Sequence, residues 1–569
     1  MHVLAYAPLG AEGFIIRVEA DVRRGIPGID ITGLADGAVR EARERVRASF
    51  RNSGFDFPTD RVLINLSPAG MRKEGASLDL PIAVSVMSAA EIVPVPGNLM
   101  VLGELELSGR VRPVWGVLAA VAAGLKAGIG EFIVPLENAA EAAVLPGTRF
   151  FAAATFSEVV HALRIRAETG EMPEQTTLPG PGGHEVYSQG PGDFSEVKGQ
   201  GRYKRALEIA AAGGHNLLVF GPPGSGKTML ARRFPSILPA LEPEEAVEVT
   251  RLYSLAGQIK AMGMSDSYFP AASSGQFGLG GLITQPPFRS PHHSSSMEGL
   301  LGGGRNVRPG EITLAHLGIL FLDEAPEFRA PVLQSLREPL EDRVITIVRA
   351  EGPLKLPADF QLILAANSCP CGRLGAPQGD AQDAAQGRYA GESPLYSGCG
   401  CFCGYDEIRR YWQKLGSALL DRIELRVPLR APGILSPAGE REEESAEISR
   451  RVCAAVEIQK ERFRESGVRR NAAMRPAQIE KFCALSNKAA AVFSLAASRL
   501  GLSGRACHGV LKIARTIADL EGKESMETEH ILEAVQHRRF GDDPYDILTA
   551  AGYAAELPKN SRLFFFRPL

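Results

Sequence analysis

The chain has 569 residues, 45% of them hydrophobic and 23% charged, with 63 Lys and Arg against 66 Asp and Glu. These proportions exclude a disordered or fibrous chain and, at about 150 residues per domain, predict three or four domains, each with its own core. A formal net charge of −3 argues against wholesale coating of nucleic acid and leaves room only for a local basic channel.

The longest nearly apolar stretch, 114–125, is shorter than the roughly 18 residues a membrane span needs. The N-terminus lacks the basic start and small-residue cleavage pattern of a secretory signal, so a cytoplasmic location is expected. Over 1–167, β-rich runs at 13–20, 61–66 and 132–135 mix with Ala-rich helical segments at 37–50 and 118–127, which predicts an α/β or α+β domain. Residues 168–192, rich in Pro, Gly and polar side chains, read as a linker. The segments SPAGMRKEGASLDLPIA (67–83) and 102–135 resemble the Lon protease domain. That resemblance puts Ser77 where the nucleophile would be and the catalytic lysine close to Leu118, and a leucine cannot act as a base. Lys126 lies eight residues further, more than two helical turns away. The resemblance therefore implies a degenerate protease fold used for ring assembly or DNA handling.

Past the linker, the apolar runs 216–220, 318–322 and 360–365 are short, bounded by turn residues and spaced by helical patterns, as buried parallel strands are. Directly after the first comes Gly221-Pro222-Pro223-Gly224-Ser225-Gly226-Lys227-Thr228, then a helical pattern. Glycines let backbone N–H groups curl around phosphate oxygens, Lys227 reaches the terminal phosphates, and the Thr228 hydroxyl ligates Mg²⁺. The second run ends in Asp323-Glu324, an Mg²⁺-holding carboxylate followed by one that orients and deprotonates the attacking water. The third ends in Asn367, a polar group able to position that water.

These motifs, with DFSEVKGQ (193–200), ILAANSCPCG, LLDRIEL (419–425) and SGRACHGVLKIARTIADL (503–520), stand in the order seen in magnesium-chelatase-like AAA+ proteins. FRSPHHSSS (288–296) and RPGEITLAHLGILFLDEAPEF narrow the resemblance to the ComM/YifB type, ATPases linked to DNA branch migration in natural transformation. The implied architecture is α/β: a degenerate Lon-protease-like N-terminal domain, then an AAA+ P-loop parallel-sheet core over 193–432 carrying a helix-2 insert, a pre-sensor hairpin and a Cys-rich loop. A helical lid and tail follow over 433–569. The resemblance also implies that Arg422 is an arginine finger reaching a neighbour's ATP and that Arg505 is a second sensor touching nucleotide from the lid. A finger acting in trans predicts an ATP-dependent ring, a homohexamer.

Between 343 and 360, two β-prone stretches predict a hairpin whose Arg343, Arg349 and Lys355 could contact the phosphates of single-stranded or branched DNA. The same cations also suit a solvated strand edge. For His292 and His293 the sequence favours a structural or interface role, since a histidine pair without a third ligand rarely binds metal. Five of eight cysteines crowd into one segment, where Cys369-Pro-Cys371 and Cys401-Phe-Cys403 could give tetrahedral Zn²⁺ coordination, with Cys399 a fifth candidate. Two other function classes stay open: a chelatase-type motor inserting metal into a tetrapyrrole, and ATP-dependent protein remodelling or proteolysis.

Overall fold

Alternating apolar residues in the first 25 positions fold as two long antiparallel strands, His2–Leu9 and Glu12–Arg23, closed by the left-handed Gly10. The computed structural model describes residues 2–34, 36–71, 73, 75–173, 192–259, 282–304, 307–349, 352–374, 401–429 and 442–538. The two strands sit inside a mixed seven-stranded sheet in the order Gly28–Thr32, Arg61–Ser67, Glu12–Arg23, His2–Leu9, Leu99–Val101, Glu131–Pro135, Arg149–Ala153. Helices Gly37–Asn52, Asp79–Ala89, Val117–Lys126 and Phe156–Thr169 cover it. Asp79–Ala89 is buried over almost its whole circumference, hence its lack of an amphipathic signature in the sequence. The helix ending at Thr169 runs into the expected linker, with Gly170 as its left-handed cap.

The AAA+ core is a five-stranded, fully parallel sheet in the order Phe288–Arg289, Ile319–Leu322, Gln361–Ala366, Leu217–Phe220, Leu425–Pro428. Its three central strands are those expected from the continuous apolar runs. Both faces are buried. One packs against Leu252, Phe328 and Trp412, the other against helix Gly201–Gly213 and the C-terminal helices Ser445–Phe463, Gly504–Leu520 and Thr528–Arg538. Charge adds to the apolar contact: Arg205 of the core pairs with Glu533 of the lid, and within the lid buried Asp519 accepts from Arg462 and Arg515.

The two domains share packing. Ala11 belongs to the core's apolar cluster and Leu255 of the core to the N-terminal one. At the same junction, buried Glu141 accepts the Leu118 N–H at 2.9 Å, an Asn138 amide N–H at 2.9 Å and the Ser254 hydroxyl of the core helix Pro243–Leu255. Burial lifts the Glu141 carboxyl above its ordinary range. No helix among the described residues is long and apolar enough to cross a membrane.

Candidate nucleotide site

Register decides the site. Phe220 pairs with Ala366 and Leu322 with Leu364, so the chain leaves all three central strands at one edge and delivers Gly221, Asp323 and Asn367 there together. Gly224 and Gly226 adopt φ of 74° and 84°, backbone that a side chain rarely tolerates, and thereby curl the loop from Gly221 to Thr228. Lys227 opens the helix Lys227–Arg233 and is buried, its ammonium donating to the carbonyls of Gly221 (2.8 Å) and Pro222 (2.9 Å). Burial draws its pKa down to about 8, with Asp323 and Glu324 partly opposing. Ser225 Oγ donates to the Pro222 carbonyl, closing the turn from inside.

Thr228 Oγ1 donates to Asp323 Oδ2 at 2.7 Å, so a hydroxyl and a carboxylate converge beyond the loop as an oxygen pair suited to Mg²⁺. Glu324 follows in the left-handed region (φ 51°), a conformation uncommon for a side-chain-bearing residue, and its carboxylate is half exposed. The edge strand Phe288–Arg289 runs parallel to Ile319–Leu322 and brings the histidine pair to the same place: His293 Nδ1 stands 3.7 Å from Glu324 Oε2, with the His292 ring 4.1 Å away. The sequence favours a structural or interface role for the pair and gives no sign of its place beside Glu324, because a two-residue strand carries no readable period.

Arg422 and Arg505 lie elsewhere. The Arg422 carbonyl accepts from the Asn216 side chain at 3.0 Å, before the strand whose far end becomes the phosphate loop; four strand residues span about 13 Å. Its guanidinium pairs with Glu341 at 2.6 Å, and Arg505 pairs with the same carboxylate. Two flanking guanidinium groups hold Glu341 below its usual pKa range, Arg422 first. Arg505 thus stands beside Arg422 rather than at its own subunit's phosphate loop. Glu341 was not legible in the sequence as a partner of either.

Three family profiles match: magnesium chelatase subunit ChlI over 193–396, subunit ChlI of Mg-chelatase over 18–138, and the ChlI C-terminal region over 442–538. Relatives match over almost full length. The competence protein ComM of Haemophilus influenzae is 36% identical over 94% of this chain and 97% of its own. YifB of Escherichia coli is 37% identical over 94% and 96% respectively. The chain belongs to the magnesium-chelatase-like AAA+ family, ComM/YifB type. A Lon protease of Clostridioides difficile is 31% identical over 150 residues, 25% of this chain, in keeping with the Lon-like character of the N-terminal domain.

In this ComM/YifB-type ATPase the family implies ATP and Mg²⁺, and the loop and oxygen pair described above fit both. Next to the sensor position, Cys369, Cys371, Cys401 and Cys403 place their Sγ atoms within 4.8 Å of one another, a set that could hold a metal ion. Cys399 lies outside the described residues. The set is wired to the nucleotide loop: Gly372 lies against Pro223, and Trp412 packs on Phe220 while donating to the Ser368 carbonyl at 3.2 Å.

The hairpin forms as Val344–Arg349 and Gly352–Pro357, but it does not gather its three cations. Arg343 sits at the base, paired with Asp359 at 3.2 Å; Arg349 donates to the Gly304 carbonyl; Lys355 is exposed. In the N-terminal domain Ser77 is half-buried, Leu118 is fully buried and Lys126 is exposed in the last turn of its helix.

Proposed function

We propose that this chain assembles into a homohexameric ring in the cytoplasm and couples Mg-ATP hydrolysis to translocation along DNA or branch migration, as in recombination or natural transformation. The observation that carries the ring is the separation of Arg422 from its own phosphate loop. A guanidinium fixed at the opposite end of the strands serves a neighbouring subunit's nucleotide, and Arg505 on the same carboxylate travels with it. DNA as the track is supported by the near full-length similarity to a competence protein and, on the hairpin, by the exposed Lys355.

In hydrolysis, Lys227 and the loop N–H groups bind the phosphates; Thr228 and Asp323 would hold Mg²⁺, which would supply charge neutralisation at the phosphate oxygens. Glu324 takes the proton of the attacking water and Asn367 fixes that water's position. Pairing with Glu341 keeps Arg422 and Arg505 extended in a lone subunit.

The four-cysteine set suits Zn²⁺. Sulfur separations of 3.3, 3.6 and 3.5 Å approach the roughly 3.8 Å edge of a tetrahedron with Zn–S near 2.3 Å. Zinc bound at about one per chain, and lost in Cys401→Ser, is the expected analysis of purified protein.

The deciding experiment measures ATPase rate with and without single-stranded, duplex and four-way-junction DNA. Stimulation by at least one is expected; none by any would return the chelatase and protein-remodelling readings.

A further inference from the structure

Between the N-terminal domain and the AAA+ core lies a cavity of about 800 Å³, within the roughly 300–1,000 Å³ of ligand sites. The N-terminal domain contributes Tyr6, Phe14 and Trp115 to its wall; the core contributes Arg308, Arg349 and the hairpin's Leu354. Arg308 sits over the Trp115 indole, 4.2 Å from the ring centroid, and no carboxylate among the described residues pairs with it. The indole is braced from the core: a Cβ at Gly257 would come within 2.9 Å of it, and Gly257 adopts φ 69°. Arg112 also lines the cavity, 3.6 Å from Glu106, and Glu104 is the one carboxylate on the wall among the described residues.

We propose that this cavity binds single-stranded DNA, one base stacking on the Trp115–Arg308 pair and the adjoining phosphates meeting Arg308 and Arg349. The assignment rests on DNA being the track and names where an unpaired strand is held. Aromatic faces interleaved with guanidinium groups make a sequence-tolerant platform for unpaired bases. Arg308, on the wall with no carboxylate partner among the described residues, favours a polyanion over an uncharged peptide backbone. The volume admits a few unpaired nucleotides. Because the hairpin's Gly352–Leu354 end forms part of the wall, movement of the hairpin would be felt directly by a strand bound there.

The test is photocrosslinking of a 5-iodouracil-substituted single-stranded oligonucleotide to the full-length protein with Mg-ATP, mapped by mass spectrometry. Crosslinks at Tyr6, Phe14 or Trp115 are expected; crosslinks confined to other surfaces overturn the site while leaving DNA as the track. Arg308→Glu, on an exposed side chain that should not disturb folding, is expected to weaken oligonucleotide binding about tenfold and flatten its salt dependence; Arg51→Glu, a surface control, leaves both unchanged. Equal loss in both variants overturns the site. If the unaltered protein binds no DNA at any salt concentration, the DNA reading fails with it. Displacement of the oligonucleotide by an unfolded polypeptide that crosslinks to the same residues assigns the cavity to protein substrates instead.

Discussion

Each domain of this ATPase contains a loop with a buried lysine whose amine donates to a main-chain carbonyl, and the two lysines have different neighbours. In the core, Lys227 lies on Gly221 and Pro222 with Asp323 and Glu324 close enough to oppose the effect of burial on its pKa. In the N-terminal domain, Lys73 lies on Pro68 and is lowered by burial alone. The core loop is surrounded by a hydroxyl and two carboxylates; the N-terminal one leads to the half-buried Ser77. Where the lysine of a protease would stand, Leu118 gives its N–H to Glu141, which also accepts from Ser254 of the core. Glu141 thereby ties the N-terminal domain to the core through main-chain and side-chain donors from both.

The sharpest way to break that contrast is to remove the base from the core. Glu324→Gln keeps size and hydrogen bonding but cannot accept the water's proton, so phosphate release should fall about a thousandfold with ATP still bound. The matching measurement in the other domain is hydrolysis of a fluorogenic peptide, which should not exceed that of a Ser77→Ala variant. Peptide turnover that disappears with Ser77 would restore the N-terminal domain as a protease.

The anchor itself gives the next largest effect. Glu141→Ala leaves the Leu118 N–H, the Asn138 amide and the Ser254 hydroxyl without their acceptor, at about 3 kcal/mol in all. Ser254→Ala removes one bond and should cost about 1 kcal/mol. Thermal or urea melting distinguishes the two, and equal costs would mean that Glu141 acts only through the junction bond to Ser254 and not within its own domain.

The contrast also shows what the sequence could and could not carry. Strands Leu217–Phe220, Ile319–Leu322 and Gln361–Ala366 were legible because burial on both faces writes an uninterrupted apolar run ending in turn residues. The nucleotide loop was legible because its glycines and lysine serve one local geometry. The edge strand Phe288–Arg289 has two residues and no period, so the approach of His293 to Glu324 had no signal beyond an unexplained motif. Leu425–Pro428 carries the buried Arg426 and does not look like a strand. Glu341 beneath Arg422 and Arg505 joins residues up to 164 positions apart, a tertiary fact that no local pattern records. The Lon-like N-terminal domain was legible from its motifs, with Leu118 where the resemblance expects a lysine, but the acceptor of the Leu118 N–H was not.

The smallest expected effect separates the two lysines directly. With its pKa near 8, the Lys227 amine is charged below that pH, and phosphates are then bound without any change in its protonation. Above it the amine is neutral in the free protein and must take up a proton to meet the phosphates, so ATP affinity should fall with rising pH, by at most about tenfold per unit. The direction follows from linkage: the bound state holds more protons than the free state, and scarcer protons favour the free state. Titrating a fluorescent ATP analogue from about pH 7 to about pH 9.5 should give a dissociation constant that climbs in the unaltered protein and in Lys73→Met, and stays flat and weak in Lys227→Met. A profile that is flat in the unaltered protein would mean that Asp323 and Glu324 already keep the ammonium charged, and that the two lysines differ in their neighbours more than burial alone suggests.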